Sequence, residues 1–233
     1  MRKTVLVLFV LLSAMAAVAA TCSSSTYDTY IVSGFSCDIG DKTFSDFMYT
    51  ATSIPPGFEV PAGSIHVTPI TTAGEQGLQW SAPWNASTTT GVFAQDSLFQ
   101  FNVMVNPGGQ PITDLTLSIG GAGFAGTGEV VVDETACLGA LLPNCTGGTI
   151  ITLRVEDDSG GQNLIDSATF TGVTLISIDK DVEVVAGTNG DASLSVVTDT
   201  FSQGGTVPEP GTLSMLGIGA LAVAGFVRRK INL

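Results

Sequence analysis

Leu98-Phe99-Gln100-Phe101-Asn102-Val103-Met104-Val105 decides how the chain folds. Phe99, Phe101, Val103 and Val105 fall on one face and Gln100, Asn102 and Met104 on the other, the two-residue period of a strand lying against a core. Aromatic and β-branched residues suit such a pleated, half-buried surface. Asn106-Pro107-Gly108-Gly109 stops the run with turn-forming residues. Ile112 to Ile119 then resumes it, with Leu115, Leu117 and Ile119 in phase. The two runs are expected to be antiparallel neighbours, joined as a hairpin or by a longer connection.

Working outward, the pattern repeats. Lys42 to Thr52 alternates with Phe47 and Tyr49 on one side and is broken by Ile54-Pro55-Pro56-Gly57. Ser64 to Thr68 sets Ile65 and Val67 against Ser64, His66 and Thr68, and Pro69 is expected to end it. Glu129 to Thr135, Thr149 to Glu156, Ala168 to Phe170, Val173 to Ile178, Val182 to Ala186 and Ala192 to Phe201 follow. Between them lie Gly160-Gly161, Gly172, Asp179-Lys180-Asp181 and Thr188-Asn189-Gly190-Asp191, read as turns. Thr21 to Asp41, rich in Ser and Thr, is expected to supply one edge strand. No stretch before Pro208 has an extended helical period. About nine to twelve short strands imply an all-β fold, a single jelly-roll-like β-sandwich over residues 21–201.

The two ends read differently. Arg2-Lys3, the apolar run Val5 to Leu12 and Ala16-Ala17-Val18-Ala19-Ala20 make residues 1–20 a signal peptide, with cleavage fitting after Ala19 or Ala20. Acylation of Cys22 is the competing reading, but Thr21 stands where a smaller residue is expected. After a polar linker at 202–207 come Pro208-Glu209-Pro210, an uncharged run at 211–227 and the basic stop Arg228-Arg229-Lys230. As a helix, a run of that length reaches about 25 Å, enough to cross a bilayer core. The basic triplet would stay cytoplasmic.

This ending resembles the PEP-CTERM sorting signal of exported bacterial proteins: the Pro-Glu-Pro triplet, the apolar helix and the basic tail occur in that order. The resemblance implies processing by an exosortase, a membrane-embedded cysteine protease or transpeptidase, in bacteria that commonly make extracellular polysaccharide. A plain single-span anchor is the alternative. The body resembles exported PEP-CTERM proteins more loosely, through Asp41-Lys42-Thr43-Phe44-Ser45-Asp46-Phe47, Trp80-Ser81-Ala82-Pro83-Trp84, Asp96-Ser97-Leu98-Phe99-Gln100-Phe101 and Ile178-Asp179-Lys180-Asp181-Val182. It carries no catalytic residue to transfer. The expected partners are therefore exosortase, the secretion machinery and the inner membrane, with extracellular polysaccharide as a further partner of the matrix.

Charge narrows the task. Of the 21 Asp and Glu, Glu209 alone lies outside residues 21–207, leaving 20 against Lys42, Arg154 and Lys180, a net −17. Such a surface offers a phosphate backbone nothing to neutralise it, so nucleic acid is not a partner. It suits solubility outside the cell. Cys22, Cys37, Cys137 and Cys145 all fall in the exported part, where two disulfides are expected. Three pairings are open, and Cys22–Cys37 with Cys137–Cys145 is favoured because each closes a short loop.

Catalytic chemistry has little to stand on. His66, the sole histidine, sits on the polar side of a short strand, which leaves a nucleophile without a base. Gly121-Ala122-Gly123-Phe124-Ala125-Gly126 matches G-x-G-x-x-G, but no helix follows it. No enzyme and no cofactor are expected. Glu156-Asp157-Asp158 and the pair Asp179 and Asp181 are read as loop carboxylates of the kind Ca²⁺ takes, though solvated acidic turns are the plainer reading and no EF-hand spacing is present. Trp80 and Trp84 bracket Pro83 and offer an aromatic platform for a sugar ring, or else core packing. The leading expectation is a non-enzymatic structural protein of the cell envelope, extracellular matrix or biofilm. The alternative is a carbohydrate-binding or calcium-dependent adhesive module using Trp80, Trp84 and the acidic loops.

Overall fold

A computed structural model describes residues 20–72 and 74–203. The expected signal peptide up to Ala19, most of the linker, Pro208-Glu209-Pro210, the 211–227 helix and Arg228-Arg229-Lys230 lie outside the described residues. Within them, no helix is long and apolar enough to cross a membrane.

In chain order the strands are β1 (Ala20–Thr21), β2 (Ser25–Thr26), β3 (Ser36–Ile39), β4 (Lys42–Ile54), β5 (His66–Ile70), β6 (Glu75–Thr88), β7 (Ala94–Val105), β8 (Ile112–Gly120), β9 (Gly123–Gly126), β10 (Glu129–Leu138), β11 (Thr149–Asp158), β12 (Gly161–Asn163), β13 (Ile165–Val173), β14 (Leu175–Val185) and β15 (Gly190–Gln203). A single helical turn, Tyr27–Tyr30, follows β2. They form two sheets. One is ordered β1-β3-β4-β7-β14-β10-β11-β12; the other is β13-β8-β15-β6-β5-β2, with β9 also on β15. Taking β6, β7, β8, β10, β11, β13, β14 and β15 in order, the chain changes sheet at every step except β10 to β11, which pair within one sheet. Two of the strands in each sheet are thereby flanked by partners distant in sequence, which is the winding of a jelly roll.

The sheets pack because each turns one apolar face inward. Phe99, Phe101, Val103 and Val105 of β7 are all buried, as their alternation requires, and Met104 on the opposite face is half exposed. Phe101 stacks near Phe47 and Phe44 of β4 and meets Trp80 and Phe201 across the sandwich, with ring centroids 5.5 and 6.3 Å away. In β4 the register shifts between Ser45 and Met48, where Asp46 takes φ 55°. That bulge changes the phase of the strand, so Lys42 and Phe44 before it and Phe47 after it all face the core. Both expected disulfides form: Cys22–Cys37 ties the N-terminal segment to β3, and Cys137–Cys145 closes the loop after β10.

Several expectations are corrected. β7 and β8 are not neighbours: β7 pairs with β4 and β14, β8 with β13 and β15. Asn106 to Gly109 carries the chain from one sheet to the other, since each strand already has its partners on both sides. Asp179-Lys180-Asp181 is no turn; β14 runs straight through it, paired with β10 and β7. Thr21 to Asp41 forms three short strands and a helical turn, divided between both sheets. Pro69 lies inside β5, opposite Leu78, beyond the two residues that β2 covers, so its missing N–H interrupts no ladder on that edge.

The phase of β7 makes a paired prediction. Phe101→Ala should lower unfolding free energy by about 3–5 kcal/mol through the cavity it leaves, whereas Met104→Ala, one strand face away, should cost under about 1 kcal/mol. Denaturant midpoints at unchanged m-value check this; equal losses would mean that the strand is out of phase.

Candidate functional site

Trp80 and Trp84 lie on β6, a strand that Pro83 conceals in the sequence. The register with β15 shifts between Ser81 and Trp84, so Ala82 and Pro83 occupy an irregularity where the ladder is already interrupted. Both indoles point inward and are 0% and 1% exposed. They are core, not a ligand platform. Trp84 Nε1 donates to Ser97 Oγ at 3.1 Å, which also meets Tyr49 Oη at 3.0 Å. Trp80 Nε1 has no partner; its ring instead lies 4.1 Å below Lys180 Nζ.

Lys180 is the centre of the one charged cluster that the described core encloses. β14 turns Ile176, Ile178, Lys180, Val182 and Val184 inward, and β10 does the same with Val130, Val132, Glu134, Ala136 and Leu138. Register sets Glu134 directly beside Lys180. From the facing sheet, β15 places Asp199 between the buried Val197 and Phe201. A Cβ at Gly77 would overlap the Asp199 carbonyl oxygen, so glycine lets β6 and β15 close up at this point. Lys180 Nζ donates to Asp199 Oδ2 and lies 3.3 Å from Glu134 Oε2, and all three side chains are fully buried. Burial pushes the Glu134 carboxyl well up, reinforced by the Asp199 charge and only partly offset by Lys180. Asp199 is raised by the same burial against the pull of Lys180.

The four aspartates among the acids considered for calcium are not brought together. Asp157 is buried near the end of β11, accepting from Gln162 Nε2 at 3.2 Å, and Asp158 Oδ1 accepts the Gly160 and Gly161 N–H groups of the β11–β12 turn at 2.6 and 3.0 Å. Asp179 and Asp181 sit in mid-strand on the outer face of β14, with Gln100 Nε2 donating to Asp179 at 2.9 Å. Among the described residues, no group of three or more His, Cys, Asp or Glu side chains is arranged to hold a metal ion.

That outer face has its own electrostatics. Asp181 faces Asp133 of β10, and Glu183 beside it faces Asp96 of β7. Partial burial first, then Asp96, Glu183 and Asp133, push the Asp181 carboxyl up to about 7. Arg154 answers part of this row, pairing with Asp133 at 2.7 Å and Glu156 at 2.9 Å. Further along the sheet, a cleft of about 250 Å³ is lined by Asp46, Met48, Gln100, Asn102, Pro143 and Ser177, beside the loop that Cys137–Cys145 closes. Just before β4, next to the end of β7, Asp41 gathers Gln110 N–H at 2.9 Å, Lys42 Nζ at 3.2 Å and Gln203 Nε2 at 2.6 and 2.5 Å. Burial opposes ionisation there, but these donors outweigh it and hold Asp41 below the usual range. β15 thus runs two residues into the stretch expected as linker, and its last residue is tied down there.

Comparison with known proteins adds the following. Residues 206–230 match the PEP-CTERM protein-sorting motif, so the chain carries that signal. No curated protein matches. Among solved structures, TmCBM61 in complex with β-1,4-galactotriose aligns over 75% of this chain and 92% of that one, at 9% identity and TM-score 0.28. The enzymatically active domain of bacteriophage CBA120 tailspike protein 4 aligns over 69% of this chain and 19% of that one, at 13% identity and TM-score 0.26.

The acidic row predicts a pH effect of definite sign. With a folded pKa of about 7, above its unfolded value near 4, Asp181 favours the fold when protonated; that contribution is complete below about pH 4 and is lost as pH rises through 7. Asp181→Asn should therefore raise Tm relative to the wild type at about pH 8 and leave it unchanged at about pH 4. Thermal melts at both values check this, and a mutant less stable at the higher pH would reverse the sign.

Proposed function

We propose that the protein is an exported, non-enzymatic structural component of the cell envelope or extracellular matrix, sorted through its C-terminal signal by an exosortase. The sorting motif at residues 206–230 carries this reading, and it implies export and passage through the membrane. In the proposed route residues 1–20 direct export, residues 211–227 hold the chain in the inner membrane, and Arg228-Arg229-Lys230 stop it there, because drawing three charges through hydrocarbon costs several kcal/mol. Pro208 and Pro210 keep a helix from running outward through the boundary, since proline lacks the N–H and disfavours helix in the residue before it. The proposed route needs such a non-helical triplet, because a protease takes its substrate as an extended strand.

Replacing Pro208-Glu209-Pro210 by alanines should leave an uncut, membrane-held precursor in cells carrying an exosortase. Mass spectrometry of the mature wild-type C-terminus checks the proposal. A mature protein with residues 211–233 intact would reduce the ending to an ordinary anchor.

A second reading, an adhesive module for matrix polysaccharide, is favoured by the cleft at Asp46, Gln100 and Asn102. There Asn102 Nδ2 donates to Asp46 at 2.9 Å, beside the exposed Met48 and Pro143, a pairing of amide and carboxylate groups with apolar surface that suits the edge and face of a sugar ring. Glycan-array binding that Asn102→Ala abolishes would support it, and retention of binding in EDTA would make it independent of calcium; an empty array removes it.

A further inference from the structure

The Lys180, Glu134 and Asp199 cluster serves neither sorting nor any exposed surface, yet it stands in the most protected place in the fold. Its three strands are interior members of their sheets, and Trp80 and Phe101 wall it, with ring centroids 4.1 and 5.9 Å from Lys180 Nζ. As ions, the three groups leave two carboxylates for one ammonium in a low-dielectric interior. Glu134 Oε1, Glu134 Oε2 and Asp199 Oδ1 also have no hydrogen-bond partner. Both features are costly, and neither is needed merely to fill space between two sheets, which apolar side chains do as well. An amide between Lys180 and Asp199 removes them together. It replaces the ion pair with a neutral group, and it offers a carbonyl to accept from the Glu134 carboxyl and an N–H to donate to it.

We propose that Lys180 Nζ and Asp199 Cγ condense into an intramolecular isopeptide bond that joins the two sheets, with Glu134 carrying the protons. A proton passes from the Lys180 ammonium to the Asp199 carboxylate, leaving a lone pair on Nζ beside Cγ. The N–C bond forms as the carbonyl π bond opens, Glu134 giving its proton to that oxygen and taking one from nitrogen. Glu134 then protonates one of the two hydroxyls, the C–O bond breaks and water leaves. The remaining hydroxyl returns its proton to Glu134 as the amide carbonyl re-forms. One water is lost, no electron is transferred and Glu134 is regenerated. Two features of the site favour the step: the reactants are held together by the register of three strands, and all three side chains are fully buried.

The test is the mass of the exported full chain, purified folded with both disulfides formed. It should be lighter by one water than its sequence requires. After reduction and cleavage at Glu183, the peptide ending there and the one beginning at Val184 should run as a single branched species. Asp199→Asn, nearly the same shape, should still link but lose ammonia in place of water. Asp199→Ala should not link. Glu134→Gln should keep the strand signature in circular dichroism while remaining at the unlinked mass. A wild-type chain at full mass whose two peptides separate would overturn the bond, and a Glu134→Gln chain that links to the wild-type extent would overturn the role given to Glu134.

Discussion

One ammonium group sets how the two sheets face each other. Lys180 reaches from the middle of β14 to Asp199 on the middle of β15, and Glu134 flanks it within its own sheet. Apolar faces would tolerate sliding by a residue pair; a buried charge does not. Leaving such a group unpartnered costs about 3–5 kcal/mol, so relative offset, twist and packing of the sheets must keep the cluster intact. Lys42 repeats the device at the sandwich end, where it bonds Asp41 and reaches across to Gln76 of β6.

Putting two of the three cations of residues 21–207 inside has a consequence for the outside. Arg154 remains on the surface, and its two exposed ion pairs are worth only about 0–1 kcal/mol each. Elsewhere the described surface is left to carboxylates, and partial burial together with their crowding holds a proton on Asp181 near neutrality. The strong net negative charge is therefore sharpened by the fold, because the positive side chains are spent in the core.

Much of this was legible in the chain. The alternation of Phe99 to Val105, the all-β class and the local disulfide pairs follow from period, turn residues and short loops. What escaped did so for physical reasons. Strand period says which face is buried but not which strand lies alongside, so β7 and β8 were placed as neighbours when the jelly-roll winding separates them. Pro83 hid β6, because a bulge absorbs a proline that a regular ladder would reject; Trp80 and Trp84 were then readable as core or as a platform, and burial decides for core. The central cluster had a signal that charge obscured. Glu134, Lys180 and Asp199 each continue the apolar phase of their strands, Val130-x-Val132-x-Glu134, Ile178-x-Lys180-x-Val182 and Val197-x-Asp199-x-Phe201. A charged residue in an inward phase on three strands marks a buried site, whereas Asp-Lys-Asp taken alone looks like a turn.

The place of β15 in its sheet bears on how the molecule carries load. It is the last strand of the described residues, and it lies between β6 on one side and β8 and β9 on the other, bonded along nearly its whole length. A pull on the chain beyond Gln203 acts along the strand axis, while the ladder bonds run across it. Those bonds are sheared as a group and do not open one at a time like a zipper. Asp41 takes the first strain at the exit, through both of its oxygens on Gln203. A domain tethered by this end would hold its shape under flow or drag better than one whose final strand lay at a sheet edge.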